Sequence, residues 1–386
     1  MESFHALGAR IDRDWRATGR DEERFPDIAA NALAAHPLGG FDREGFLDAW
    51  LDPASPTGLQ LAPPCAFGQP GTTVHHGDGF AIEVYYWLNS RSAIHNHPFC
   101  GVFTLLEGWS VHARYRVTER EHLGGGALRA DGALDGLDLF RPGQVQRFSL
   151  HAHPLVHALV HVPIPSLSLV VRTIRSEGYL RYLPPSLALP MEGAREPAER
   201  RIALLESLRA AGDARYRERF ERELAGADFA CAVQLLSSGW SEREPGERAE
   251  LLELLRPLHG DRVDLVPPAL DQAARVAEAS AIREGLTDPD LRLVATALAY
   301  GDSRQRVLDL LAQRGDANAL LRRFVDEAGL FDAGNDTPLT IVRALVDGED
   351  PLRRLAARYG TDAVEPFADD VRRTCSASIF AVLGAG

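Results

Sequence analysis

The stretch Ala93-Ile94-His95-Asn96-His97-Pro98 decides how the chain is read. Side chains of an extended strand alternate faces, so His95 and His97 point one way and Ile94 and Asn96 the other. Two imidazoles side by side on one strand can hold an edge of a first-row metal ion, and a third ligand must then come from another strand. About sixty residues on, His151-Ala152-His153-Pro154-Leu155-Val156-His157-Ala158-Leu159-Val160-His161 offers the candidates. A lone histidine is usually a core or surface residue. A paired His-x-His with a second cluster points to metal.

Around this stretch the sequence is strand-like from Thr72 to about Thr173. Phe80, Ile82, Val84 and Tyr86 alternate with Ala81, Glu83, Tyr85 and Trp87, and Trp109, Val111, Ala113, Tyr115 and Val117 with Ser110, His112, Arg114 and Arg116. The face carrying His112, Arg114 and Arg116 reads as solvated. Gly124-Gly125-Gly126 lacks the strand–helix setting of a dinucleotide fingerprint and reads as a hairpin loop. Many short strands at close intervals indicate a sandwich or barrel.

Helices flank this region. Phe4, Leu7, Ile11 and Trp15 recur at helical spacing, as do Phe25, Ile28, Ala29 and Leu33. Asp42 is placed to cap a third helix that would bury Phe46, Leu47, Trp50 and Leu51. An irregular stretch rich in proline and glycine follows, from Asp52 to Gly71. Beyond Leu189-Pro190 helical stripes run to the end, with Gly260, Gly301, Gly315 and Gly360 as helix stops. Asp332-Ala333-Gly334-Asn335-Asp336 has its glycine misplaced for a calcium loop and reads as a turn.

At 386 residues with a net charge of -13, the chain can bury a large core and opposes nonspecific attraction to nucleic acid or anionic membrane. All 42 of its basic residues are arginine, which excludes a Schiff-base lysine and the lysine of a phosphate-binding P-loop. Cys65, Cys100, Cys231 and Cys375 are scattered, as suits a reducing cytoplasm. The N-terminal residues form no secretory h-region, and no apolar run reaches a membrane span. The expectation is a cytoplasmic protein.

His95-Asn96-His97-Pro98-Phe99-Cys100-Gly101-Val102-Phe103-Thr104-Leu105-Leu106-Glu107-Gly108 resembles the first cupin motif. Pro142-Gly143 followed by His157-Ala158-Leu159-Val160-His161 resembles the second. The likeness covers about a quarter of the chain. It is nearest the three-histidine, thiol dioxygenase-like branch, because Gly101 or Val102 stands where a glutamate ligand is usual, and Glu107 lies too far along. More narrowly, Phe99-Cys100-Gly101-Val102-Phe103 and the segment 156–173 resemble a group of bacterial cupins with helical flanks. The resemblance implies His157 as third ligand, rather than His151 or His153. By strand parity His161 shares the face of His157, and it reads as a group beside the ligands, as a fourth ligand, or as a residue that fills a polar position. The serine–histidine–tyrosine relay of thiol dioxygenases is only partly matched by Ser168, Val170 and Arg172. Cys100 is out of register with that family's crosslinking cysteine and reads as an inert buried thiol.

The expected fold is α+β: a helical N-terminal preface (1–70), a cupin, or double-stranded β-helix, barrel with a metal site (71–190), and an all-helical C-terminal domain (191–386). The metal ligands are His95, His97 and His157, and the catalytic residues His161 and Arg172. Arg172 either faces inward to bind a carboxylate bidentately or pairs with an acid at the rim. The metal would be iron(II), with zinc, nickel or manganese as alternatives, and the protein an oxygenase taking dioxygen and a small anionic substrate. The competing expectations are a metal- or ligand-binding cupin without redox chemistry, whose helical domain binds a protein partner or a second copy, and a metal-dependent lyase or isomerase.

Overall fold

The structure is a computed structural model that describes residues 2–36, 41–52, 60, 71–88, 93–174, 178–191, 196–331, 336–360 and 367–384. Most of the irregular stretch after Asp52, and residues 332–335 of the expected turn, lie outside the described residues. Two N-terminal helices form where the apolar spacing places them, α1 (Glu2–Arg16) and α2 (Phe25–Ala35). Phe4, Leu7, Ile11, Trp15, Phe25, Ala29 and Leu33 are all buried. In α3 (Arg43–Leu51) the Asp42 carboxylate accepts from the Gly45 N–H at 3.0 Å, as a cap should. That helix buries less than expected: Phe46 is covered, but Leu51 is 73% exposed.

Eleven strands follow among the described residues: β1 (Gly71–His76), β2 (Phe80–Trp87), β3 (Ile94–Asn96), β4 (Gly101–Glu107), β5 (Ser110–Gly124), β6 (Ala127–Phe140), β7 (Val145–Phe148), β8 (Val156–His161), β9 (Ser166–Thr173), β10 (Leu180–Leu183) and β11 (Leu187–Pro190). One antiparallel sheet has the order β1-β2-β9-β4-β7; the others run β10-β11-β6-β5-β8-β3 and close through β3 and β10. Apart from the β5–β6 hairpin, the chain from β3 to β9 alternates between the two sheets, which is the winding of a double-stranded β-helix. The β5–β6 hairpin turns at Gly124, Gly125 and Gly126, all at positive φ, where side-chain-bearing residues are strained.

Four apolar layers hold these parts together, one of them joining Leu123, Ala127, Leu183, Leu187 and Leu189 of the second sheet to the first helices of the C-terminal region. The outer face of the first sheet (Ile82, Val84, Leu167, Leu169, Val171) packs on the N-terminal helices. The outer face of the second (Val111, Ala113, Ala158, Val160) packs on the C-terminal region, including the buried helix Pro289–Tyr300. Between the sheets lie Phe99, Phe103, Leu105, Phe140, Phe148, Leu155 and Leu159. Helices fill the described chain from Glu196 to Gly384. They are tied to the barrel by polar bonds as well: Arg292 Nε donates to the Val162 carbonyl at 2.7 Å, and the Leu139 N–H to Gln313 Oε1 at 3.1 Å. Among the described residues no helix is long and apolar enough to cross a membrane.

Candidate metal centre

Strand register builds the site. β3 and β8 are antiparallel neighbours with His95 directly opposite His157, so both imidazoles leave the same face. His97 directly follows β3, before the bend at Pro98 and Phe99 that leads into β4. One ring nitrogen from each of His95, His97 and His157 lies within 4.8 Å of the others. The closest pair, His97 Nε2 and His157 Nε2, is 2.8 Å apart. Two nitrogens bound to one metal at ordinary bond lengths lie about 3 Å apart, close to the spacing of this pair.

The outer nitrogens set the tautomers. His95 Nδ1 is 2.8 Å from the Ala93 carbonyl, which can only accept, so Nδ1 carries the proton and Nε2 offers its lone pair. His157 Nδ1 lies 2.9 Å from His112 Nε2. With His112 as acceptor, His157 too is left with a bare Nε2 turned to the cluster. Burial pushes the pKa of His95 down and those of His97 and His157 far down, the neighbouring histidines adding to the effect for the latter two. His112 is held at about 3, by burial first and then by Arg114. All four are neutral imidazoles at neutral pH, the form that ligates metal. The residues present fit a divalent cation.

The surroundings are aromatic. His97 stacks on Phe148 with centroids 4.3 Å apart, Phe99 stands edge-on to His97 at 5.4 Å, and Phe103 lies 5.2 Å from His157. Behind Phe99 sits a buried charged group. Arg172 points inward, its guanidinium 5.1 Å from the Phe99 ring, and Glu83 grips it through Nε at 2.7 Å and Nη2 at 3.0 Å. The Tyr85 hydroxyl donates to the same carboxylate at 2.8 Å. Burial works against the charge of Arg172, but Glu83 outweighs it and the guanidinium pKa rises.

The other sequence-named residues fall elsewhere. His161 is fully buried, four residues along β8 from His157; it stacks on Trp87 at 4.4 Å, and its Nδ1 lies 3.0 Å from Ser110 Oγ. The hydrogen bond to His157 is made by His112, not by His161. Arg172 pairs with Glu83 inside the barrel rather than with an acidic loop at the rim. Ser168 accepts from Trp87 Nε1 at 2.8 Å. His151 and His153 lie in a loop outside the cluster, and Glu107 pairs with Arg43. Cys100 is buried, with its thiol pKa pushed up to about 11 by that burial. The solvated face expected for His112 is corrected: His112 is 1% exposed and faces the metal cluster. Its strand is covered on both sides at this end, by the helical region behind and the other sheet in front. Glu83 and Tyr85 were likewise not singled out, although an acid in the middle of an apolar strand was the available signal.

Fold and site together define a cupin-type double-stranded β-helix barrel carrying a three-histidine cluster, with helical regions before and after it. No family model matches the sequence, and no curated protein matches it. Among solved structures, the chain is similar to a conserved protein with a double-stranded β-helix domain from Klebsiella pneumoniae, at 14% identity over 31% of this chain and 84% of that one, with a TM-score of 0.21. It is also similar to a sugar phosphate isomerase from a cupin superfamily from Silicibacter pomeroyi, at 15% identity over 32% of this chain and 65% of that one, again with a TM-score of 0.21. Likenesses of that size carry no argument about activity. The class rests on strand order and on the histidines.

Proposed function

We propose that Nε2 of His95, His97 and His157 holds one divalent metal ion, and that the protein is a non-haem iron oxygenase acting on a small anionic substrate and dioxygen. The observation that carries this reading is the convergence of the three neutral imidazoles, with the His95 tautomer fixed by the Ala93 carbonyl and the His157 ring held by His112. Iron(II) is the proposed metal, and zinc, nickel and manganese accept the same donors. Bound there, the ion supplies Lewis acidity and, if it is iron, redox capacity, with positions left open by having only three protein ligands.

The chain's own residues do the rest. Three neutral ligands leave the charge of the ion uncancelled, which favours an anionic substrate. Phe99, Phe103 and Phe148 exclude water and keep the local dielectric low, so that charge acts strongly. His112 holds the His157 ring in its ligating orientation. Glu83 occupies Nε and Nη2 of Arg172, leaving Nη1 with a long 3.4 Å bond to the Thr173 carbonyl. Nη1 is the donor that a substrate carboxylate would take. His161 lies too far along β8 to touch the cluster and supports the opposite end of the barrel interior through Ser110 and Trp87.

The Tyr85–Glu83 hydrogen bond inside the barrel favours a second reading, in which a phenol and a carboxylate move a proton on a metal-held substrate without redox, as an isomerase or lyase would. Metal analysis of protein purified without chelator, followed by oxygen uptake with a panel of thiols and small acids, separates the two. Iron with substrate-dependent uptake supports the oxygenase. Zinc or nickel with no uptake supports the second reading.

A further inference from the structure

A cavity of about 680 Å³, well within the size range of small-molecule sites, lies at the seam between the barrel and the C-terminal helices. Three elements turn side chains into it. Pro268, Asp271, Gln272 and Arg275 line it from the helix Val266–Gly285, and their spacing puts all four on one face of that helix. Tyr115 lines it from β5, on the outer face that also carries Val111 and Ala113. Tyr300 and Asp302 line it from the end of the helix Pro289–Tyr300 and the residues just beyond. Burial first, then Tyr300 and Asp302, push the Tyr115 phenol well up, which places those two groups beside it.

Hydrogen-bonding capacity is left over at two ends of this cavity. At one end Arg275 gives Nη2 to Gln272 Oε1 and meets no carboxylate among the described residues. Asp271 on the same helix face is taken by Trp240 Nε1 at 2.7 Å and Arg248 Nη1 at 3.5 Å. At the other end the Tyr115 hydroxyl makes no hydrogen bond among the described residues, yet it is not sealed into the core. Asp302 beside it turns only Oδ1 to its neighbours, Ser303 Oγ and Arg306 Nε, both at 3.3 Å. A guanidinium fork is filled by a carboxylate. A carboxylate oxygen beside a phenol that stays protonated is filled by an ammonium group, which donates to both oxygens. We infer that the cavity binds a small zwitterion, an amino acid or a short peptide, with its carboxylate on Arg275 and its ammonium on Asp302 and Tyr115. The site is separate from the metal cluster, which lies on the inner face of the same sheet with His112 and His157.

The test uses the full chain, stripped of metal so that the histidine cluster cannot capture the acid. Titration calorimetry with 4-aminobutanoate, 6-aminohexanoate and trialanine covers a range of charge separations, and hexanoate and hexylamine serve as one-ended analogues. At least one zwitterion should bind saturably, and more tightly than either analogue. Arg275→Gln should weaken it about tenfold or more, as loss of a charge-assisted contact does, and leave any binding of hexylamine unchanged. Asp302→Asn should weaken it similarly and leave any binding of hexanoate unchanged. Both side chains are partly exposed, so the thermal midpoints of the two variants should stay close to wild type. Zwitterion binding that is equal in wild type and in either variant overturns the assignment, and so does the absence of saturable binding by all three. Acid captured at Arg172 instead would be indifferent to both substitutions. Metal content of the two variants, measured separately, should match wild type, so failure here is distinct from failure of the metal proposal.

Discussion

At the residue scale, the most consequential group is one that alternation alone misplaced. His112 was read with Arg114 and Arg116 as part of a solvated face, because an imidazole followed by arginines on alternate positions of a strand looks polar. It lies inside because both faces of β5 are covered at that end, and no periodicity reports that. His95, His97 and His157 were legible because pairing on one strand and a second cluster downstream are local patterns; the hydrogen bond from His157 to His112 spans 45 residues and is not. His112→Ala should therefore lower metal affinity about 10–100-fold, the usual cost of losing the partner that orients a ligating histidine. His153→Ala should leave it unchanged. Equal affinity in wild type and His112→Ala, by competition with a chromophoric chelator, would show that His157 needs no such support. The charged group beside the cluster makes a second prediction. Glu83→Gln weakens the grip on the Arg172 guanidinium and should tighten binding of small carboxylates severalfold, whereas Arg172→Ala should weaken it. If both variants bind anions as wild type does, Arg172 is not part of the substrate site.

At the element scale, what could be read was set by how many faces an element buries. α1 and α2 each bury one stripe, so their helical spacing was sufficient. α3 buries less than its spacing suggests, because four apolar residues at helical spacing do not reveal how many of them are covered: Phe46 is buried and Leu51 exposed. β2 buries both faces over most of its length, so Glu83 and Tyr85 gave no polar side to distinguish from a core side. Close packing of the strands is a consequence that can be tested. A Cβ on Gly101, in β4, would sit 2.3 Å from the Val171 carbonyl oxygen and 2.8 Å from the Phe148 ring. Backbone cannot yield cheaply there, so Gly101→Val should push β4 from β9 and cost about 1–3 kcal/mol, as overpacking of a core does. An unchanged urea midpoint for that variant would mean that β4 and β9 are not closely packed at Gly101.

At the scale of the whole molecule, the buried neutral histidines make stability depend on acid. His161 is held at about 3, by burial first and then by Arg283, against an ordinary value near 6.5. Its contribution is fully present above about pH 6.5. As the pH falls below that, the unfolded chain takes up a proton that the folded chain refuses, and stability is lost until the folded value near 3 is reached. At pH 5 the loss from this residue alone is about 2 kcal/mol. His95, His97, His112 and His157 act in the same direction in the metal-free protein. Urea unfolding at pH 7.5 and pH 5 should show wild type losing more than His161→Gln by about that amount. Identical losses would place the protons elsewhere. The overall division into helices, barrel and helices was legible, because helical and strand periods differ over long runs. What the helical region does for the barrel was not, since the apolar layers and polar bonds that join them, such as Arg292 to the Val162 carbonyl, link residues far apart in the chain.

The central claim is that His95, His97 and His157 together hold one divalent metal ion. Its most direct test is bound metal per chain, by mass spectrometry, in wild type and in His95→Ala, His97→Ala and His157→Ala, each confirmed as folded by circular dichroism. The account predicts about one ion per wild-type chain and loss of most of it in every one of the three variants, with His151→Ala and His153→Ala retaining it. Full occupancy in any of the first three would contradict it, as would a wild-type chain that takes up no metal at all.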